Sequence, residues 1–148
     1  MNKAMLSLLL ADDDLDDCEF FEDALDEVAS GTSLMTVNDG VQLMDFLLSR
    51  PDKYPDIIFL DLNMPRKSGV ECIMEIKEMA DLRHIPIVIF STSLDLDVIN
   101  RLYEMGAHYY IQKPGGFTIL KRVIGTALAL FTGVNQDQPE RDGFVIQP

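Results

Sequence analysis

The sequence predicts a doubly wound α/β fold: one five-stranded parallel sheet with helices on both faces. Three observations carry that expectation. Short apolar runs alternate five times with segments of helical period. The runs at 8–11, 57–60 and 87–90 are continuously apolar, as strands buried on both faces are. Strand and helix strictly alternate, so the crossovers are right-handed and lay helices on the sheet.

The first run, 7–11, ends in Asp12 and Asp13. From about 15 to 29, Cys18, Phe21, Leu25 and Val28 recur at three- and four-residue spacing, and Gly31 stops the helix. A short, weak strand follows at 33–37. Asn38-Asp39-Gly40 then makes a turn and cap before a helix carrying Val41, Met44, Leu47 and Leu48. Pro51 and Pro55 bracket a loop, and 57–60 is the third strand. Ser68 or Gly69 opens a helix with Val70, Ile73, Met74, Ile76 and Lys77 in register. Pro86 announces the strand at 87–90, and a helix from about 96 to 105 ends at Gly106. The fifth strand is 109–112. The last helix, 118–130, aligns Ile119, Val123, Ile124 and Ala127.

After Leu130 the pattern fails, which predicts a loose tail over 132–148 in which only Phe144-Val145-Ile146 is fit to dock on a groove or a neighbouring molecule. At 148 residues the chain suits one domain. No stretch approaches the ~20 apolar residues of a membrane span, and 7–11 is too short for a signal peptide, so the expected location is cytoplasmic. The net charge of −13 argues against nucleic acid. Ten acids and no base lie between Asp12 and Glu27, whereas 105–136 holds Lys113, Lys121 and Arg122 and no acid. A partner could dock by sign, although a solvated acidic helix face accounts for most of the acids. Cys18 and Cys72 read as buried, reduced thiols.

Four of the runs end on residues suited to phosphoryl chemistry: Asp12-Asp13, Asp61, Ser91 and Lys113-Pro114. Parallel strands bring these stops to one sheet edge, where open α/β folds bind ligands. Two carboxylates ~4 Å apart repel by ~4 kcal/mol at an effective dielectric near 20, so three of them call for a cation. Mg²⁺ suits them, since it takes one or two carboxylates plus phosphate oxygens and keeps waters. Asp61 then becomes a nucleophile toward phosphorus, Lys113 a cation for a phosphate oxygen and Ser91 a hydroxyl donor.

Asp12-Asp13, Asp61-Leu62-Asn63-Met64-Pro65 with Gly69 beyond, Ser91-Thr92 and Lys113-Pro114 follow the first, third, fourth and fifth strands. In this the chain resembles the receiver domains of response regulators, the single-domain chemotaxis type included, over roughly residues 5–131. The resemblance implies the flavodoxin-like strand order 2-1-3-4-5. It implies that Asp61 is the phosphoacceptor, with Asp12, Asp13, Asp61 and the backbone carbonyl of Asn63 around Mg²⁺. Ser91 resembles the switch hydroxyl, Tyr110 the aromatic that follows it and Lys113 the phosphate-pairing lysine, with Pro114 in a cis bond. Asn63 and Ser93 sit where receivers vary the residues beside the hydrolytic water.

The implied partners are a sensor histidine kinase or phosphotransfer protein and a downstream protein target. A homodimer through the fourth helix, fifth strand and last helix, near Tyr103, His108 and Tyr109, is a further expectation. Gly115-Gly116 departs from the pattern and loosens the start of the last helix. With no output domain after Leu130, a stand-alone receiver is expected.

Several alternatives compete. Asp14, Asp16 and Asp17, like Asp95 and Asp97, read as helix caps and first-turn acids. An EF-hand loop starting at Asp12 fails because its sixth place is Asp17 rather than glycine. An aspartate-nucleophile phosphatase wants a second acid two residues after the nucleophile, where this chain has Asn63. A receiver that takes no phosphate and only binds a partner is disfavoured by the intact acid trio. His84 and His108 read as loop or surface residues.

Overall fold

The computed structural model describes residues 6–131 and 137–148. Five βα units follow one another: β1 (Ser7–Ala11), α1 (Leu15–Val28), β2 (Ser33–Val37), α2 (Gly40–Leu48), β3 (Ile57–Leu60), α3 (Gly69–Glu78), β4 (Ile87–Ser91), α4 (Leu96–Glu104), β5 (Tyr109–Gln112) and α5 (Phe117–Leu130). The strands form one parallel sheet in the order β2-β1-β3-β4-β5. Register pairs Ala11 with Val37 and Leu60, Leu60 with Ile89, and Ser91 with Gln112. The carboxyl ends are therefore level, and their loops share one rim.

Side chains that alternate along each strand feed two core layers. Leu9, Ile58, Leu60 and Ile89 pack with Leu43, Leu47, Ile73, Ile76 and Leu102 on one face. Leu8, Leu10, Phe59 and Val88 pack with Phe21, Leu25, Val123 and Ile124 on the other. Each such side chain, fully buried, contributes about 1.5–3 kcal/mol. β2 is the exposed edge strand, which explains its weak pattern.

The helices begin where side-chain oxygens satisfy free N–H groups. Asp14 accepts from the N–H groups of Asp16 and Asp17, Asp39 from Gln42, and Asp95 from Asp97 and Val98. Ser68 and Glu71 form a reciprocal capping box. α5 has Gly116 as its N-cap and no side-chain cap, as the double glycine implies.

Most stripe residues read in the sequence are buried, Phe21, Leu25, Met44, Leu47, Ile73, Ile76, Val123 and Ile124 among them, but one in each of four helices is exposed. Val28, Leu48, Met74 and Ile119 face solvent, and Ala24, Leu43, Cys72 and Leu120 take the inward places. A helix on a sheet buries a broad arc. When apolar residues exceed that arc, periodicity alone does not choose among them.

Residues 132–136 of the expected tail, and Lys3, lie outside the described residues. Residues 137–148 are not loose. A single 3₁₀ turn, Arg141–Gly143, leads into an extended segment beside β5. The Tyr110 N–H donates to the Phe144 carbonyl, and the Ile146 N–H donates to the Tyr110 carbonyl, both at 2.9 Å. Phe144 is wholly buried in the α2–α3–α4 layer of the core. Among the described residues no helix is long and apolar enough to cross a membrane.

Candidate functional site

The level strand ends bring Asp12, Asp13, Asp61 and Lys113 to one point. The Asp12 N–H donates to the Val37 carbonyl and the Asp61 N–H to the Ala11 carbonyl, so the sheet ladder itself fixes both acids. Asp12 and Asp61 are buried, whereas Asp13 is exposed. One carboxylate oxygen from each of the three lies within 4.8 Å of the others.

Gly69 sets the shape of the loop after Asp61. Its N–H donates to the Leu62 carbonyl at 2.9 Å, and a Cβ there would stand 2.4 Å from the Asp61 carbonyl oxygen. No other residue lets α3 abut the loop so closely. Asn63 is exposed, and its N–H lies 3.5 Å from Asp61 Oδ1, at the limit of a hydrogen bond.

Lys113 Nζ reaches three carboxylates: Asp12 Oδ2 at 2.8 Å, Asp17 Oδ2 at 2.9 Å and Asp61 Oδ2 at 3.4 Å. Burial works against its charge, but Asp12 and Asp17, then Asp61, outweigh burial and raise its pKa. Asp12 moves in the opposite sense for an acid beside a cation. Burial pushes it up to about 6, and the Asp61 charge adds to that, against the Lys113 ammonium and the Asp14 N–H.

Ser91 closes β4, one residue beyond the predicted strand, and is fully buried. Its carbonyl accepts from the Lys113 N–H, and its Oγ accepts from the Ser93 N–H at 3.3 Å. Tyr110 is also fully buried, and its hydroxyl donates to the Ser93 carbonyl. Burial raises its phenol pKa, against hydrogen bonds with Ser91 and Ser93. Tyr110 is thus bonded to the loop that leaves Ser91.

The residues present fit a divalent cation. Ligand oxygens 2.0–2.1 Å from one Mg²⁺ are at most about 4.2 Å apart, which small side-chain shifts reach from the spacing here. Among the described residues, buried Asp12 Oδ2 makes no hydrogen bond of good geometry and pairs with Lys113 at 2.8 Å. Three carboxylates share the Lys113 ammonium and the Asp13 carboxylate stands beside them, a surplus of negative charge that a cation offsets.

A family model for the response regulator receiver domain matches residues 8–124. The chain belongs to the response regulator receiver family. It is 33% identical over 121 residues to the response regulator Rcp1 of Synechocystis sp., covering 79% of this chain and 82% of that one. It is 29% identical over 108 residues to the polar-differentiation response regulator DivK of Brucella ovis, covering 73% and 84%. The structure resembles the phosphorylated cyanobacterial phytochrome response regulator RcpA, with a TM-score of 0.81, 29% identity and coverage of 90% and 98%. It also resembles the Mn²⁺-bound form of Rcp1, with a TM-score of 0.78, 28% identity and coverage of 90% and 99%. The chain is thus a phytochrome-response-regulator-like receiver with the expected fold.

Four details differ from the sequence reading. The Lys113–Pro114 peptide bond is trans, not cis. Trans is the favoured isomer by about 0.5–1 kcal/mol, and the space around Gly115 and Gly116 is open, so no packing demands the other. His108 is a loop residue, as expected, but buried against Phe131 rather than exposed. The acidic and basic flanks meet within the molecule, through Lys113 to Asp17 and Lys121 to Glu27 at 3.1 Å.

Lastly, Asp17, read only as a first-turn acid, also reaches Lys113. Its place in the first turn of a helix that starts at the strand-end rim is the available signal. The Asp39–Arg66 pair beside the loop, at 3.1 and 3.2 Å, left no signal in either local sequence.

Proposed function

We propose that this receiver is a phosphoacceptor switch in two-component signalling. Asp61 takes a phosphoryl group from a histidine kinase or phosphotransfer protein. Asp12, Asp13, Asp61 and the Asn63 carbonyl would hold Mg²⁺, which supplies charge neutralisation between carboxylate and phosphate. An Asp61 carboxylate oxygen attacks phosphorus, the new P–O bond forms as the P–N bond of the donor phosphohistidine breaks, and the imidazole leaves with the electron pair. Lys113 gives up its contact with Asp61 for a phosphate oxygen, and Ser91 turns its hydroxyl toward another. Because Tyr110 is bonded to the Ser93 carbonyl, movement of Ser91 is felt at the α4–β5 surface.

The observation that carries this reading is the convergence of three strand-end carboxylates, Asp12, Asp13 and Asp61, with the Lys113 ammonium on the two buried ones. The family and the phosphorylated and metal-bound forms of its structural relatives support it. The phytochrome response regulators among those relatives support a phytochrome as the source of the signal. With acetyl phosphate and Mg²⁺, wild type should shift on Phos-tag electrophoresis and Asp61→Ala should not. A wild type that fails to shift, or a normal shift in Asp61→Ala, refutes the reading.

A further inference from the structure

Lys113 Nζ has three carboxylate partners, and the proposed function takes two of them away. Asp12 and Asp61 belong to the group of three acids that fits a divalent cation, and Asp61 also supplies the oxygen that accepts phosphorus. Asp17 lies outside that group, with its Oδ2 2.9 Å from Nζ. When Asp12 and Asp61 turn their oxygens to the ion, the ammonium keeps one acid and meets like charge close by, which repels it. A lysine is a compact, strongly hydrated charge on a flexible stem, so its own geometry does not hold it at the site.

Both ends of the Lys113–Asp17 bridge are fixed. The Lys113 N–H donates to the Ser91 carbonyl at 2.8 Å, which ties its backbone to the strand-end rim. The Asp17 N–H donates to Asp14 Oδ1 at 3.1 Å, and the Asp14 N–H donates to Asp12 Oδ1 at 3.0 Å. One turn on, Phe21 is fully buried and packs edge-on against Phe59 and Phe90, with ring centroids 5.0 and 5.5 Å away. The start of α1 is thereby held against the rim. Its other acids are placed differently: the Asp14 carboxylate caps the helix, and Asp16 is exposed. Among the described residues, the acids paired with Lys113 are Asp12, Asp17 and Asp61.

From this we infer that Asp17 is a positioning residue, a tether that keeps the Lys113 ammonium beside the phosphoryl position while Asp12 and Asp61 serve the ion. An ammonium has three donors, so Nζ can keep Asp17 on one and offer another to a phosphate oxygen. Asp17 touches neither the ion nor phosphorus and acts through Lys113 alone. This role rests on the proposed function and deepens it. A carboxylate that were only a nearby negative charge would do the opposite, since it would repel an anionic phosphoryl group. The sign of the effect therefore decides.

The test is a calorimetric titration of the full-length chain with beryllofluoride, an anion shaped like a phosphoryl group, at saturating Mg²⁺. Asp17→Asn, alike in size but uncharged, should bind it about fivefold more weakly than wild type, the upper end for a half-exposed ion pair. Asp17→Glu, which restores the charge, should recover most of that loss. Asp16→Asn removes an acid from the same turn and should not weaken binding. In a Lys113→Met chain there is no ammonium to hold, and adding Asp17→Asn should weaken binding no further.

Unchanged or tighter binding by Asp17→Asn overturns the tether. So does an equal loss in Asp16→Asn, or a loss that persists in the Lys113→Met chain. If Lys113→Met does not fold, Asp16→Asn and Asp17→Glu decide by themselves. A wild type that binds no beryllofluoride refutes the proposed function and the tether with it, whereas binding by wild type with Asp17→Asn unmoved refutes the tether alone.

Discussion

Asp12 and Asp39 stand at nearly matching places on adjacent strands, one residue past β1 and two past β2, and both are buried. Their carboxyls shift in opposite directions. Asp39 is held below the usual carboxylate range by the Gln42 N–H, by its hydrogen bonds to Arg66 and by the Arg66 charge. Asp12 is pushed up to about 6 although Lys113 lies 2.8 Å away. The difference lies first in desolvation, which dominates at Asp12 whereas a backbone N–H dominates at Asp39, and then in stoichiometry. Asp39 has a cation to itself, whereas Asp12 shares one with Asp17 and Asp61. A strand-end acid with its own partner closes a structure, and one left in surplus negative charge is set to take a cation.

The sharpest way to break that contrast is to remove the shared cation. Lys113→Met leaves the acids facing one another without an ammonium. Breaking a buried ion pair by deleting one member costs about 3–5 kcal/mol. Urea unfolding without divalent ions should show a loss of that order. Added Mg²⁺ should recover more stability in Lys113→Met than it adds to wild type, because the uncompensated charge is larger. A variant that loses stability but gains nothing extra from Mg²⁺ would mean that Lys113 serves packing against Phe90 rather than the balance of charge.

A smaller effect is expected from the ion alone. At a hundredfold excess over its dissociation constant, Mg²⁺ should stabilise wild type by about 2.7 kcal/mol, and this should vanish in Asp12→Asn. Proton and metal compete for Asp12. Its folded pKa of about 6 lies above its ordinary 3.8, so in the metal-free protein protonation of Asp12 favours folding at low pH. That contribution fades as pH rises from about 4 through about 6. Mg²⁺ affinity should therefore climb over the same interval and level off above about pH 7, as calorimetric titration at several pH values would show. A flat profile would place the ion away from Asp12.

The contrast also marks what the sequence could convey. The sheet and four of the strand-end stops were legible because each is local: an apolar run, then a residue whose chemistry the level strand ends put on the rim. Asp17 has the sequence of a first-turn acid and is one, but its second role needs Lys113, 96 positions away in the chain. The Asp39–Arg66 pair depends on Arg66 holding a positive φ of 66°, unusual for a residue with a Cβ, which no local pattern announces. The apolar character of Phe144-Val145-Ile146 marks it as fit to dock, but where it docks is not written nearby. The edge of β5 presents backbone groups that look alike in any sequence, and only the Tyr103–Tyr110 socket makes the place specific.

The smallest expected effect tests the other side of the comparison. Asp39→Asn keeps an oxygen to cap α2, since asparagine caps as well as aspartate, and loses only the charge opposite Arg66. Because the folded pKa of Asp39 lies below its ordinary value, the charged form contributes stability above the unfolded pKa. That stability is lost as pH falls through the folded value, the reverse of Asp12. The variant should melt slightly below wild type at neutral pH, and the two curves should converge in acid, below the usual carboxylate range, as wild type takes up the proton. Its response to Mg²⁺ should equal that of wild type, since Asp39 already has its partner. A weakened Mg²⁺ response would instead show that the Arg66 latch, three residues past Asn63, holds the loop that carries the Asn63 carbonyl. The two aspartates would then be parts of one site rather than opposites.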